Sequence, residues 1–335
     1  MGLQIGEIVL RKEISFNEIK GKTIAVDAFN AIYQFLSSIR QPDGTPLMDS
    51  SSRITSHLSG IFYRNIALMS EGIKLIYVFD GEYHELKGKT HEKRQDAKDL
   101  AKEKYEIAVE EKDIEAMSKY SRGFMKLTSE MKDECKELLE AMGIAVVQAP
   151  GEGEMQCAHL VKQGEAWAVG SQDYDALVVG GSRLIQNLTL ARKRKTVSGT
   201  IDINPEIISY EENLNHLGLD ADQLICLAIL VGTDFNPGGV RGIGPKKALA
   251  LVRARKTPVE IFREVAHQLE FNWQDVFEIF KRPNVSSFKV QFPKINQEKI
   301  RQILVDQHDF SLERIEKNLE KLKESKDKST QRTLF

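Results

Sequence analysis

The chain has 335 residues, 41% of them hydrophobic and 29% charged, with a formal net charge of −2. This composition supports one large or two modest folded domains and excludes wholesale disorder. A net charge so near zero neither requires nor excludes a polyanionic partner, so its distribution along the chain carries the information. No apolar run approaches the roughly 18–20 residues of a membrane helix. Glu7, Arg11, Lys12 and Glu13 interrupt the N-terminus where a signal peptide would be apolar. Neither membrane attachment nor export is therefore expected. Cys135, Cys157 and Cys226 are odd in number and lack metal-knuckle spacing. They read as reduced, packed thiols of a cytoplasmic protein.

In chain order, residues 22–27 and 73–80 read as short buried strands, rich in Ile and Val and each ending in Asp. Residues 53–71 between them have apolar positions near helical spacing (Ile54, Leu58, Ile61, Phe62, Ile66). Residues 82–128 are dense in Lys, Glu and Asp with a thin apolar face, which predicts an exposed helical excursion. A helix is expected at 131–142, ended by Gly143. A strand follows at 144–149, a helix at 154–163 and a strand at 166–170. Strands alternating with helices imply an α/β domain with a largely parallel sheet. An apolar helix at 222–231 leads through Gly232-Thr233-Asp234 and Gly242-Ile243-Gly244-Pro245 into a second helix at 246–254. Beyond about 312 the chain is Lys/Glu-rich, and 325–335 lacks a core pattern.

Seven acids sit at the ends of these elements: Asp27, Asp80, Glu152, Glu154, Asp173, Asp175 and Asp234. Any one of them could be an N-cap or a surface turn residue. Five separate segments placing acids in comparable positions is a different matter, because a carboxylate at a buried strand end is costly unless neutralised. Strand ends converging on one sheet edge would nest hard divalent cations. Glu152 and Glu154 lie at a helix entrance, where the dipole favours negative charge. Asp173 and Asp175, two apart in an extended stretch, would share a face. Oxygen-only ligation favours Mg²⁺ or Mn²⁺ over Zn²⁺, and two such ions suit in-line attack on a phosphodiester. There is no Gly-x-Ser-x-Gly elbow and no P-loop.

Basic residues cluster at 87–94, 192–195, 241–247 and 253–256. Lys87 and Arg94 are seven apart; on a helix over 86–98 they would share a face able to meet a scissile phosphate, or they are ordinary exposed lysine and arginine. The turn with Gly242, Gly244, Lys246 and Lys247 is either a plain helix–helix connection or a backbone approach to duplex phosphates. Tyr33 could stack on a base or pack in the core. Arg40 and Arg64 are further candidates for phosphate contacts. The seven histidines are dispersed and suggest no catalytic imidazole.

Taken together, Val26-Asp27-Ala28 with Ile32-Tyr33-Gln34-Phe35, Val78-Phe79-Asp80-Gly81, Ala149-Pro150-Gly151-Glu152-Gly153-Glu154, Gln172-Asp173-Tyr174-Asp175 and Gly232-Thr233-Asp234 before Gly242-Ile243-Gly244 resemble the archaeal-type flap endonuclease family. The resemblance implies an α/β, PIN-like (5′-nuclease) parallel-sheet core with a helical arch and a helix–two-turn–helix DNA-binding motif. It divides the chain into an N-terminal nuclease region (1–98, with the start of the arch), an internal nuclease region (99–260, with the helical hairpin at 222–252), a C-terminal helical region (261–324) and a flexible tail (325–335). It implies that the seven acids serve two Mg²⁺ ions, with Mn²⁺ able to substitute, and that Lys87 and Arg94 face the scissile phosphate. Tyr33 would stack on a substrate base. Loss of Met1 would leave Gly2 close to the site, and a K⁺ ion would sit on hairpin carbonyls near Gly239, Val240 and Gly242. The implied activity is cleavage of 5′ flaps near the duplex junction by a monomer in replication and repair, with 5′-exonuclease and gap activity. Phe310 and Arg314 resemble part of a pocket for a one-nucleotide 3′ flap. A sliding-clamp partner is implied by a tail motif, of which Gln331, Leu334 and Phe335 are present without the final aromatic pair. Gly151 and Gly153 also depart from the family pattern, in which Ser or Ala is common; the acids beside them are kept.

Overall fold

The computed structural model describes residues 2–332, apart from positions 42, 83, 112, 122, 191–192 and 197–198. The chain opens with β1 (Lys12–Glu13) and β2 (Thr23–Asp27), followed by α1 (Ala28–Ser38), α2 (Ser56–Ser70) and β3 (Lys74–Phe79). Helices α3 (Gly88–Glu110) and α4 (Ile114–Tyr120) form the predicted excursion. After them come α5 (Ser129–Ala141), β4 (Ala145–Gln148), α6 (Gly153–Lys162), β5 (Ala168–Gly170), the short α7 (Asp175–Val178) and β6 (Arg183–Gln186). A hairpin of β7 (Lys193–Thr196) and β8 (Gly199–Asp202) precedes β9 (Glu206–Ser209). The remainder is helical: α8 (Tyr210–Leu217), α9 (Ala221–Val231), α10 (Pro245–Arg255), α11 (Pro258–Glu264), α12 (Trp273–Lys281), α13 (Gln297–Arg301) and α14 (Leu312–Arg332).

Seven strands form one sheet in the order β1-β9-β6-β5-β2-β3-β4. Strands β4, β3, β2, β5 and β6 run parallel, while β9 pairs antiparallel with both β6 and β1. The expected parallel core is therefore present, extended by an antiparallel edge that short, polar-ended segments such as Glu206–Ser209 did not announce. From β2 the chain moves outward through β3 to β4, then returns to lay β5 and β6 on the other side of β2. Strand order thus reverses between β2 and β5, and in open α/β sheets the crevice at the carboxyl ends beside such a point is where ligands bind.

Side-chain alternation supplies both apolar layers. Ala25, Ile76, Val78 and Val169 face one cluster with Leu3, Ile5, Leu227 and Phe280. Ile24, Val26, Leu75, Tyr77 and Phe79 face the other with Phe35, Phe62 and Leu138. A sheet buried on both faces explains why these strands read as continuous apolar runs. Helix α9 is buried from Leu224 to Leu230. Among the described residues no single helix is long and apolar enough to cross a membrane.

Some boundaries differ from expectation. Helix α2 begins at Ser56, because Ile54 is held in a bridge to Met48. Helix α1 was not anticipated; Asp27 caps it, accepting from the Asn30 N–H at 3.1 Å. The tail expected to be flexible continues α14 to Arg332, as a Lys/Glu-rich run without Gly or Pro favours. The side chain of Gln331 and the whole of Leu334 and Phe335 lie outside the described residues.

Candidate active site

The sheet's carboxyl edge opens into a cleft of about 440 Å³ lined by all seven acids, together with Asn30, Tyr33, Lys87, Gln95, Lys98 and Met155. Asp27 ends β2 and Asp80 follows β3; Glu152 and Glu154 flank the entrance of α6. Asp173 follows β5, Asp175 opens α7 and Asp234 follows α9. Asp173 and Asp175 share the cleft for a reason other than the one expected: residues 171–174 form a bend into a helical turn, not an extended strand.

Local bonds set the acids in place. Asp80 Oδ1 accepts from the Gly153 N–H at 2.7 Å, at the start of α6. A Cβ at Gly153 would lie 2.6 Å from that oxygen, so this glycine admits the close approach. Glu154 Oε1 accepts from the Ala176 N–H at 3.3 Å. Asp175 Oδ1 is buried with no hydrogen-bond partner. The backbone of Gly2 lies against Asp173, and a Cβ at position 2 would fall 1.5 Å from its Oδ1; Met1 lies outside the described residues.

Crowding and burial work against ionisation here. Burial, then the Asp80 charge, pushes the Asp27 carboxyl up to about 8. Burial, then Glu152, raises Asp80 to about 6. Glu154 and Asp175 are also raised well above the carboxylate range, first by burial and then by the neighbouring Asp173 charge. Inside this ring lies Lys87, 9% exposed, its ammonium bonded to Glu152 and 3.8 Å from Asp234. Burial pulls the Lys87 pKa down, but the attraction of Glu152, Asp234 and Asp175 outweighs it and leaves the ammonium held above its ordinary value. The Lys87 ammonium by itself does not balance seven acids. Among the described residues no three acids converge into a closed ligand set. An open ring of oxygen donors, one of them orphaned and buried, fits a hard cation that keeps part of its water shell and takes further ligands from phosphate.

Lys87 sits in a 3₁₀ turn over Glu85–Lys87, not on the helix expected over 86–98. Arg94 falls on α3, but its side chain lies outside the described residues. Two α3 residues that sequence reasoning missed reach the cleft, Gln95 and Lys98. Lys98 Nζ lies 5.7 Å from the Tyr33 ring centre, and Tyr33 is 37% exposed, so its ring faces the cleft edge and is not core. Spacing held a signal for Lys98, which is eleven residues from Lys87 and so on the same side of a helix. At its start α3 is tied to the hairpin loop, with the Thr90 hydroxyl donating to the Asp234 carbonyl at 2.6 Å.

That loop is ordered by its own side chains. Asn236 Oδ1 accepts from the Thr233 N–H and hydroxyl, and its amide donates to the Ile229 carbonyl. Gly242 has φ +78°, and Gly244 caps α10; both have open space where a side chain would be. Lys246 and Lys247 flank this bare helix start. Lys246 pairs with Glu7 at 3.3 Å, largely in solvent, and Lys247 donates to the Gly242 carbonyl at 3.1 Å.

Arg40 and Arg64, expected as phosphate contacts, lie outside the cleft lining. Arg40 spends its donors within the chain, on the carbonyls of Ser37, Gly44 and Ser121 and on the Ser121 hydroxyl, so it braces the far end of the excursion. Arg64 is half-buried on α2, and burial pulls its pKa down. In the 253–256 stretch, Arg253 and Arg255 are engaged with Leu217 and Glu264, while Arg192 and the side chains of 193–195 lie outside the described residues. Phe310 packs partly against the second core layer and Arg314 is exposed on α14, both away from the acids.

Comparison with known proteins agrees with this arrangement. Residues 3–101 match the XPG N-terminal domain and residues 143–234 the XPG I-region. The chain is 49% identical to Flap endonuclease 1 of Pyrococcus furiosus over 337 aligned positions, covering 100% of this chain and 98% of that one. It is 50% identical to Flap endonuclease 1 of Staphylothermus marinus, covering 91% and 88%. Its fold superposes on flap endonuclease-1 from Methanococcus jannaschii with a TM-score of 0.77 at 40% identity, covering 97% and 98%. On its cleft, its fold and these full-length relatives, the chain belongs to the flap endonuclease family.

Proposed function

We propose that this protein is a metal-dependent, structure-specific 5′-nuclease that removes 5′ flaps from branched DNA in replication and repair. The observation that carries the reading is the single cleft in which all seven acids meet beneath α3, next to the hairpin that presents Gly242, Gly244, Lys246 and Lys247.

Asp27, Asp80, Glu152, Glu154, Asp173, Asp175 and Asp234 would hold two divalent cations, Mg²⁺ with Mn²⁺ as substitute. When bound, these supply Lewis-acid stabilisation of the charge that builds on the phosphodiester oxygens. Lys87 adds a positive charge beside that position, where a preorganised cation acts without reorganisation. Tyr33 offers a ring face to a base at the cleft edge. Duplex DNA would be gripped through its phosphates at the start of α10, without reading sequence. A K⁺ ion at the Gly242 carbonyl would replace the Lys247 ammonium there. Arg94, the Phe310–Arg314 pocket for a 3′ flap, exonuclease and gap activity, and a clamp partner at Gln331–Phe335 belong to the same reading by family resemblance. So do a monomeric state and a cytoplasmic location.

The test is a substrate panel in Mg²⁺: 5′ flap, double flap, bubble, gap and blunt duplex. Flap substrates are expected to be cut fastest, near the junction. Equal rates on flap and blunt duplex would contradict structure specificity.

A further inference from the structure

Beyond the contact of Gly2 with Asp173, the N-terminal segment is built against the acids by a residue that the reading above does not use. Leu3 and Ile5 are buried in the core, and the Gly2 backbone lies on Asp173. Arg11 closes the segment. Its Nη2 donates to the Gly6 carbonyl at 2.7 Å and to the Tyr174 hydroxyl at 3.2 Å, and its Nη1 lies 3.5 Å from Glu206 on β9. Gly6 makes room for this meeting: a Cβ there would lie 2.8 Å from the Tyr174 hydroxyl and 2.9 Å from Arg11 Nη2. Tyr174 is the buried residue between Asp173 and Asp175. One planar guanidinium therefore ties three things together: the loop that carries Gly2, strand β9 of the sheet, and the turn that presents two of the acids. Because Asp175 Oδ1 has no hydrogen-bond partner, the backbone of that turn is what aims it. The Arg11–Glu206 pair is partly exposed and contributes little to stability; what Arg11 supplies is geometry.

We propose that Arg11 is a positioning residue for the metal centre: through Gly6 and Tyr174 it fixes the Asp173–Asp175 turn, with Gly2 packed against it, so that both acids serve a cation. This rests on the reading of the acids as cation ligands. Partners that orient metal ligands from behind change metal affinity by about 10–100-fold when removed.

The test is Mn²⁺ titration of the DNA-free protein, by calorimetry or by paramagnetic resonance of the free ion, with melting temperatures in EDTA alongside. Arg11→Ala is expected to weaken Mn²⁺ binding about tenfold. Tyr174→Phe, which removes one hydroxyl, should weaken it by a smaller factor at an unchanged melting temperature. The double variant should bind no worse than Arg11→Ala, since both changes break the same bond. Asp175→Ala serves as the control for the site itself. If Asp175→Ala weakens binding while Arg11→Ala and Tyr174→Phe bind as wild type, the positioning role is overturned and the metal reading stands. If Asp175→Ala binds as wild type, the metal reading falls and this proposal with it. Should Arg11→Ala fail to fold, Tyr174→Phe decides alone.

Discussion

Between Glu152 and Asp234, the Lys87 ammonium partly neutralises a ring of acids that would otherwise repel. On the proposed reading the same charge would meet the scissile phosphate, and it would be used mainly in the transition state. Lys87→Ala is predicted to slow single-turnover flap cleavage by about 10²–10³-fold while changing flap affinity by only a small factor, measured by quench-flow and anisotropy. A large affinity loss at unchanged turnover would make Lys87 a phosphate anchor. Asp27 presents the opposite case. Its carboxyl is raised to about 8 and that of Asp80 to about 6, whereas in the unfolded chain both titrate near about 4. As pH rises from about 4 towards 8, the unfolded chain therefore releases these protons first, and the metal-free fold loses stability across that window. A cation removes the conflict. The stabilisation by Mg²⁺ in thermal melts should accordingly grow between about pH 5 and pH 8. Asp27→Asn should stabilise the metal-free fold at the upper end by on the order of a few kcal/mol, seen as a higher melting temperature, and reduce the Mg²⁺ effect. A Mg²⁺ effect independent of pH would contradict this account.

At the scale of elements, the arch and the hairpin are joined where each meets the acids. The Thr90 hydroxyl bonds the Asp234 carbonyl, and Lys98 stands over the Tyr33 ring. Helix α3 is thereby registered to the cleft, although its own surface is mostly exposed and charged. On the other side, the bare start of α10 exposes Lys246 and Lys247, whose contacts to Glu7 and to the Gly242 carbonyl are weak enough for phosphate to replace them. Each lysine that meets a phosphate contributes about 0.9 to the slope of log affinity against log salt. Replacing both by Ala should lower the slope for duplex binding by about 1–2 and weaken flap, gap and blunt duplex alike. An unchanged slope would remove the hairpin from the DNA interface.

At the scale of the whole molecule, legibility followed the range of the interactions. Asp27 and Asp80 could be read because an acid ending an apolar strand is a local anomaly. The Glu152/Glu154 and Asp173/Asp175 pairs sit at comparable junctions, and the parallel core followed from its alternating strands and helices. What could not be read depends on partners far along the chain. For Arg40, a candidate phosphate contact by sequence, the bonds to Ser121 could not be read because Ser121 is distant along the chain. Lys87 was legible as a residue of the acid site, but its burial was not, because the acids that bury it come from other segments. Arg11 gave no local signal at all, its partners being Tyr174 and Glu206. Strands β6 and β9 are too short and too polar at their ends to show a period.

The central claim is that the ring of carboxylates holds the cations that cut DNA. Its most direct measurement is single-turnover cleavage of a 5′-flap duplex by the wild type in Mg²⁺, by the wild type in EDTA, and by Asp175→Ala in Mg²⁺. The account predicts incision about one base pair into the duplex in the first case only, with Asp175→Ala slowed about 10³-fold or more while still binding the flap. Cleavage by Asp175→Ala at the wild-type rate, or cleavage undiminished in EDTA, would contradict it.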